Sequence, residues 1–368
     1  MQEATLRSPA AEQRLIVESI GSASPGLAGV LASQLGMPAS QVASALYKAP
    51  AILLDKLPMP HAQGLAEILS QAGLGIRIEP SQSPVPTAAD SLDIALYLRE
   101  PACLATCCER LSRFLGCPAA AIQNMLLAPP SVILGDVSQA TADALQQLLD
   151  GLPVELICSA RKQARYALFI SRQRGTALSS LLGDLQRMGI NADATGTLDG
   201  AELDYQQGQY LWRRHQSAGG LRLVDKAFMR FDLNLEQISS DSCLEQLPAL
   251  AGFPADLVPC VIENLPIVVE EGVPAHSLQH RLAAWSAAGM TVRPQLASLR
   301  CCRLIVESCP QPERCRELLQ TGGLIEHAGQ LATLPWISDM LFGELLPRWL
   351  QSGLDALEAE YRFEETSP

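Results

Sequence analysis

The apolar positions of this chain switch repeatedly between a period of two and a period near 3.6. Residues 15–20 (LIVESI) run as a short strand, with Leu15 and Val17 on one face and Ile16 on the other. Leu27, Leu31 and Leu35 then recur at helical spacing until Gly36, and Pro38 opens a second helix carrying Val42 and Leu46 one turn apart. Pro50 ends that helix. AILLDKLP reads as a strand, residues 60–73 as a third helix closed by Gly73, and LGIRIEP as a last strand. The pattern predicts strand–helix–helix–strand–helix–strand within residues 13–80.

The unit recurs. Adding 80 to the residue number carries Gly36 onto Gly116, Pro38 onto Pro118, Val42 onto Ile122, Leu46 onto Leu126 and Pro50 onto Pro130. Adding 216 carries Leu15 onto Phe231, Gly36 onto Gly252, Pro50 onto Pro266 and Gly73 onto Gly289. Two further segments keep the frame without the second helix. One starts at Ala164, with a weak strand expected near 193–198, and the other begins at a second copy of the hexamer RLIVES, residues 14–19 and 303–308. The reading is an α/β (α+β) repeat protein of five tandem small modules, three β-α-α-β-α-β and two shortened to β-α-β-α-β. It comprises a tail (1–12), full module 1 (13–80), a Pro/Ser-rich spacer (81–90), full module 2 (91–160), short module 3 (164–226), full module 4 (227–297) and short module 5 (301–368). Cys107 and Cys243 fall on Leu27, so all three are expected in the core.

Composition narrows the role. The 368 residues are 48% hydrophobic and 18% charged with net charge -12, which argues against a phosphate-backbone footprint. With 5% aromatic residues there is little to stack bases on. The opening MQEATLRSPAAEQR lacks the apolar core of a signal peptide and no run of about 18 apolar residues occurs, so a cytoplasmic protein without membrane insertion is expected, its cysteines reduced.

Gly36, the helix ending Ala49-Pro50, the strand to Leu57, and Ala62, Leu65 and Gly73 of the third helix resemble the C-terminal domain of the bacterial ribosomal stalk protein, a fold shared by the Clp protease adaptor. Val137-Ser138 followed by ADALQQLL is similar to the same family. The resemblance implies a compact α/β unit that offers the face of its first two helices to a protein partner. Basic residues do that work in the stalk family; the matching positions here are Ala32, Ser112 and Pro248 on the first helix and Ala43, Gln123 and Pro259 on the second. Ser33 and Tyr47 in module 1, and Arg110 and Arg113 in module 2, are the partner-binding candidates on that face.

Enzyme chemistry finds no motif: no Gly-rich phosphate loop follows a strand and no GxSxG elbow occurs. Cys103, Cys107 and Cys108 share a predicted helix and read as packing thiols. His276 and His280, at i,i+4, carry the alternative of a metal- or thiol-dependent protein, although Ser277 stands where a zincin places Glu. His215 and His327 show no neighbouring acid in sequence. Arg161, Lys162, Arg165, Arg172 and Arg174 read as a solvated strand edge. The expectation is a non-enzymatic scaffold, adaptor or assembly factor, with no cofactor and no nucleic acid. It would bind one or more protein partners in a larger complex, with self-association as a second use of the same surfaces.

Overall fold

A computed structural model describes residues 12–24, 26–86, 90–170, 176–190, 202–218, 221–325 and 334–365. The chain divides into two compact units, Met1–Leu126 with Val132–Lys162, and Leu127–Ser131 with Gln163–Pro368. The strand expected near 193–198 lies outside the described residues.

The first unit holds β1 (Gln13–Ser19), α1 (Gly26–Leu35), α2 (Ala39–Tyr47), β2 (Ala51–Leu57), α3 (Met59–Gln71) and β3 (Gly75–Pro80), then β4 (Leu92–Leu98), α4 (Leu104–Leu115), α5 (Ala119–Leu127), β5 (Val132–Val137), α6 (Gln139–Leu148) and β6 (Val154–Ala160). Each set forms an antiparallel three-stranded sheet with its first strand in the centre, ordered β2-β1-β3 and β5-β4-β6. A 3-10 turn, Pro101–Cys103, leads into α4, so Cys103 lies just ahead of the helix carrying Cys107 and Cys108.

The second unit opens with β7 (Tyr166–Ile170), α7 (Thr176–Arg187), α8 (Tyr205–His215) and β8 (Leu221–Asp225), in which β7 pairs with β8. There follow β9 (Arg230–Ile238), α9 (Leu247–Ala251), α10 (Val258–Glu263), β10 (Ile267–Pro274), α11 (Ala275–Ala287) and β11 (Met290–Leu296), whose sheet is ordered β10-β9-β11. The last module is β12 (Cys301–Ser308), α12 (Pro312–Thr321), β13 (Trp336–Ile337), β14 (Leu341–Phe342), α13 (Leu345–Ala356) and β15 (Glu360–Glu365). Its first strand is again central, pairing β13 and β14 on one side and β15 on the other.

The repeat extends to backbone detail. Gly36, Gly116 and Gly252 end the first helix of each full module at φ of 63°, 69° and 76°, a left-handed cap that a side chain with Cβ disfavours. Lys56, Asp136 and Gly272 share the left-handed conformation at a common bulge site in the second strand. The bonds Ala49-Pro50, Pro129-Pro130, Leu265-Pro266 and Leu334-Pro335 are all cis.

Strand pairing corrects the expected match of Leu15 with Phe231. Gln13 lies opposite Leu57, Leu92 opposite Val137 and Phe231 opposite Val273, so Phe231 is the counterpart of Gln13. Leu233, fully buried, is then the counterpart of Leu15. Ten residues separate Leu233 from Cys243 where twelve separate Leu15 from Leu27, and the difference is absorbed in a surface loop where length is free to vary. Cys107 is fully buried as expected; Leu27 and Cys243 are only half-buried.

Each core lies between a sheet and its helices. In the last module Cys302, Leu304 and Val306 of the central strand pack with Cys315 and Leu319 of α12 and Leu350 and Leu354 of α13. In module 4, Leu233 and Leu235 pack with Leu247, Val261, Trp285 and Met290. Leu15, Ile16 and Val17 of β1 are all fully buried, which a sheet covered on one face alone does not allow. α2 and α3 pack on β1 from their own module, and α6 of the next module adds a further contact.

Candidate partner-binding surfaces

The helices of module 1 lie in the longest stretch of the sequence without a charged residue or histidine. Between Ser19 and Tyr47 there is no Asp, Glu, Lys, Arg or His. The repeat buries Leu31, Val42 and Leu46, which leaves Gly29, Val30, Ser33 and Gln34 of α1 and Ser40, Gln41 and Ser44 of α2 exposed. Val30 is 52% exposed. The Ser33 hydroxyl donates to the Gly29 carbonyl at 3.0 Å, so its polarity is satisfied within the helix. These exposed residues carry no charge, so covering them would dehydrate none, the costliest group to bury. In module 4, Leu257 (46% exposed), Cys260 and Ile262 extend from α10 and the turn before it.

Two of the four candidate residues make contacts within the first unit. Ser33 and Arg113 are exposed. Tyr47 is half-buried, its ring edge-on to Phe114 with centroids 6.5 Å apart. The Tyr47 carbonyl accepts from the Ser138 amide at 3.0 Å and the Thr141 hydroxyl at 2.8 Å, so the residue joins the two modules of the first unit. Burial, reinforced by the neighbouring Cys117 thiol, raises its phenol above the ordinary range. Arg110 donates to the carbonyls of Leu148 at 2.9 Å and Asp150 at 2.8 Å, closing the C-terminal end of α6. Helical periodicity gives the side on which Tyr47 and Arg110 lie, but not what packs there.

His276 and His280 are exposed on α11. Among the described residues no three His, Cys, Asp or Glu side chains come together as a metal-binding group. The buried thiols Cys107, Cys108 and Cys315 lie in the wrong surroundings for reactivity, which needs a stabilised thiolate. Burial pushes Cys107 up to about 12, Cys108 to about 11 and Cys315 to about 11, with nearby thiols adding to the effect.

Residue separation hid one buried polar pair. His215 does have an acid beside it: its Nε2 lies 2.8 Å from Asp184 Oδ2, and both residues are buried. Arg214 and Arg187 each approach the same carboxylate at 2.7 Å. Burial raises the Asp184 carboxyl, but the His215 hydrogen bond and the charges of Arg187 and Arg214 outweigh it and hold the group below its usual range. The arrangement ties α7 to α8. His327, Arg172 and Arg174 lie outside the described residues; Arg161 donates to Asp93 at 2.7 Å, and Lys162 sits 3.6 Å from Asp90.

The outer faces of the sheets carry the signal that motif reading missed. Arg14, on the opposite face of β1 from Leu15, is 1% exposed. Its Nε donates to Glu79 at 2.6 Å, and one terminal nitrogen donates to the carbonyls of Ser83 at 2.8 Å and Pro84 at 2.5 Å. The expected free spacer is therefore pinned to the sheet over residues 81–86. Its clue in sequence was an arginine repeated in RLIVES and a Ser-Pro segment one strand later. No family model, curated protein or solved structure matches the chain.

Proposed function

We propose that this protein is a non-enzymatic scaffold, adaptor or assembly factor, binding protein partners through the neutral helical faces of its tandem modules. The observation that carries this reading is the exposed, charge-free surface of α1 and α2, with Val30 at its centre. Interface cores are depleted in charge, and this face meets that condition before any partner arrives. The resemblance of the full modules to the stalk C-terminal domain points to the same helical side. A face of small residues is a weak contact alone, since hot spots favour Trp, Tyr and Arg. Modules joined in one chain compensate, because each added contact is intramolecular once the first has formed. No helix among the described residues is long and apolar enough to cross a membrane.

Affinity capture from the native host tests the reading. Val30→Glu and Ser33→Glu should weaken recovery of the co-purifying protein by about 1–3 kcal/mol, the range of an interface hot spot, with the fold unchanged. Changing His276 and His280 to Ala together should leave recovery unaltered. Loss of capture with the histidines, and none with the helix variants, would move the reading to a metal-dependent protein.

A further inference from the structure

We infer that the outer face of the last module's sheet, at Arg303, docks an uncharged, proline-bearing segment of a partner protein. The inference rests on an occupied copy of the same site within the chain and is independent of the helical-face reading.

The occupied copy is at Arg14. Residues 81–86, SQSPVP, leave β3 through a turn in which the Ser83 amide donates to the Pro80 carbonyl. Arg14 holds them through two backbone carbonyls, those of Ser83 and Pro84, while the Ser81 amide donates to the Glu12 carbonyl and its hydroxyl accepts from the Lys56 amide. The guanidinium therefore reads main chain. Proline suits such a ligand, because its ring fixes φ, removes an amide that would need a partner, and lowers the entropy lost on docking.

The second copy reproduces the platform. Arg303 lies opposite Glu364 as Arg14 lies opposite Glu79, and Ile305 opposite Arg362 as Ile16 lies opposite Arg77. Arg77 bridges Glu18 and Glu79; Arg362 bridges Glu307 and Glu364. The register slips at the same step in both, between Val17 and Ser19 and between Val306 and Ser308. On the other side of the central strand the copies differ, since β2 is continuous while β13 and β14 are short and leave Arg303 and Leu304 without a partner strand. The occupant differs as well. Arg303 is exposed and makes no hydrogen bond or ion pair among the described residues, and the Glu364 side chain is 52% exposed where that of Glu79 is 14%. Glu307, Glu364 and Glu360, which alternates onto the same face of β15, outnumber Arg303 and Arg362. The face therefore carries no net positive charge, which favours a backbone carbonyl over a phosphate or an acidic side chain.

The probe is a fluorescent synthetic peptide of residues 80–86, PSQSPVP, with both ends capped, titrated into the full-length protein by anisotropy. Saturable binding is expected. Arg303→Ala should weaken it at least tenfold while leaving the unfolding midpoint unchanged, because the residue is exposed. Arg303→Lys should also weaken it, since an ammonium cannot reproduce the guanidinium fork. The helix variant Val30→Glu should bind the peptide as the parent does. Three results would overturn the inference: no saturation up to about 1 mM peptide, the edge of recognisable affinity; binding indifferent to Arg303→Ala; or stronger binding of a peptide with both serines replaced by Asp.

Discussion

The two copies of RLIVES have identical side chains, form the central strand of their sheets and pair in the same register with the last strand of their modules, yet their arginines meet opposite fates. Arg14 is buried under the segment that leaves its own module, bonded to Glu79 and to two carbonyls. Arg303 stands in solvent. The apolar residues do not diverge: Leu15 and Leu304 are both fully inaccessible, and Ile16 and Ile305 are 0% and 4% exposed. The hexamer thus carries its strand and its apolar contacts wherever it is placed. The environment of its charged end depends on a segment almost seventy residues away in sequence, Arg14 and Ser83 being 69 apart.

Substitutions in matched pairs put this comparison at risk. The largest effect should come from Leu15→Ala and Leu304→Ala, each costing about 2–5 kcal/mol as large-to-small changes in a core. Hydrogen exchange should read the two sheets separately, because a chain of several modules need not unfold as one. Similar loss of protection in the two sheets is expected; a tolerated change at one would mean that the copies are not structural equivalents. Next, Arg14→Ala should cost about 3 kcal/mol, the lower part of the range for breaking a buried ion pair, whereas Arg303→Ala should stay within about 0.5 kcal/mol. Equal effects at these two positions would break the comparison. The smallest effect concerns the exposed ladders: Arg77→Ala and Arg362→Ala should each cost less than about 1 kcal/mol and lose that effect in high salt, as exposed ion pairs do. A large cost at Arg362 alone would show that the second ladder is covered.

Much of the architecture was legible because the repeat reads the same signals several times. Gly36, Gly116 and Gly252 mark the same helix end, and the second strands after Pro50, Pro130 and Pro266 pair alike with their central strands. The first strand of module 4 was placed two residues off, because a shortened loop leaves no trace in a gapless alignment. The surroundings of the candidate residues were only half legible. Ser33 and Arg113 lie on the surface, as the helical period implies, but Tyr47 and Arg110 serve α6, an element that the period of their own helices cannot register.

The sequence by itself determined the elements and their order, because helix caps, strand alternation and turn glycines act over a few residues and recur in every full module. It also determined the apolar character of each central strand. Only the tertiary structure decided which faces are covered. The Tyr47 carbonyl meets Thr141 across 94 residues and His215 meets Asp184 across 31, and such pairings follow from how packed elements come together. For the same reason one RLIVES arginine is a buried clamp and the other an open donor: the strand is local, and what lies over it is not.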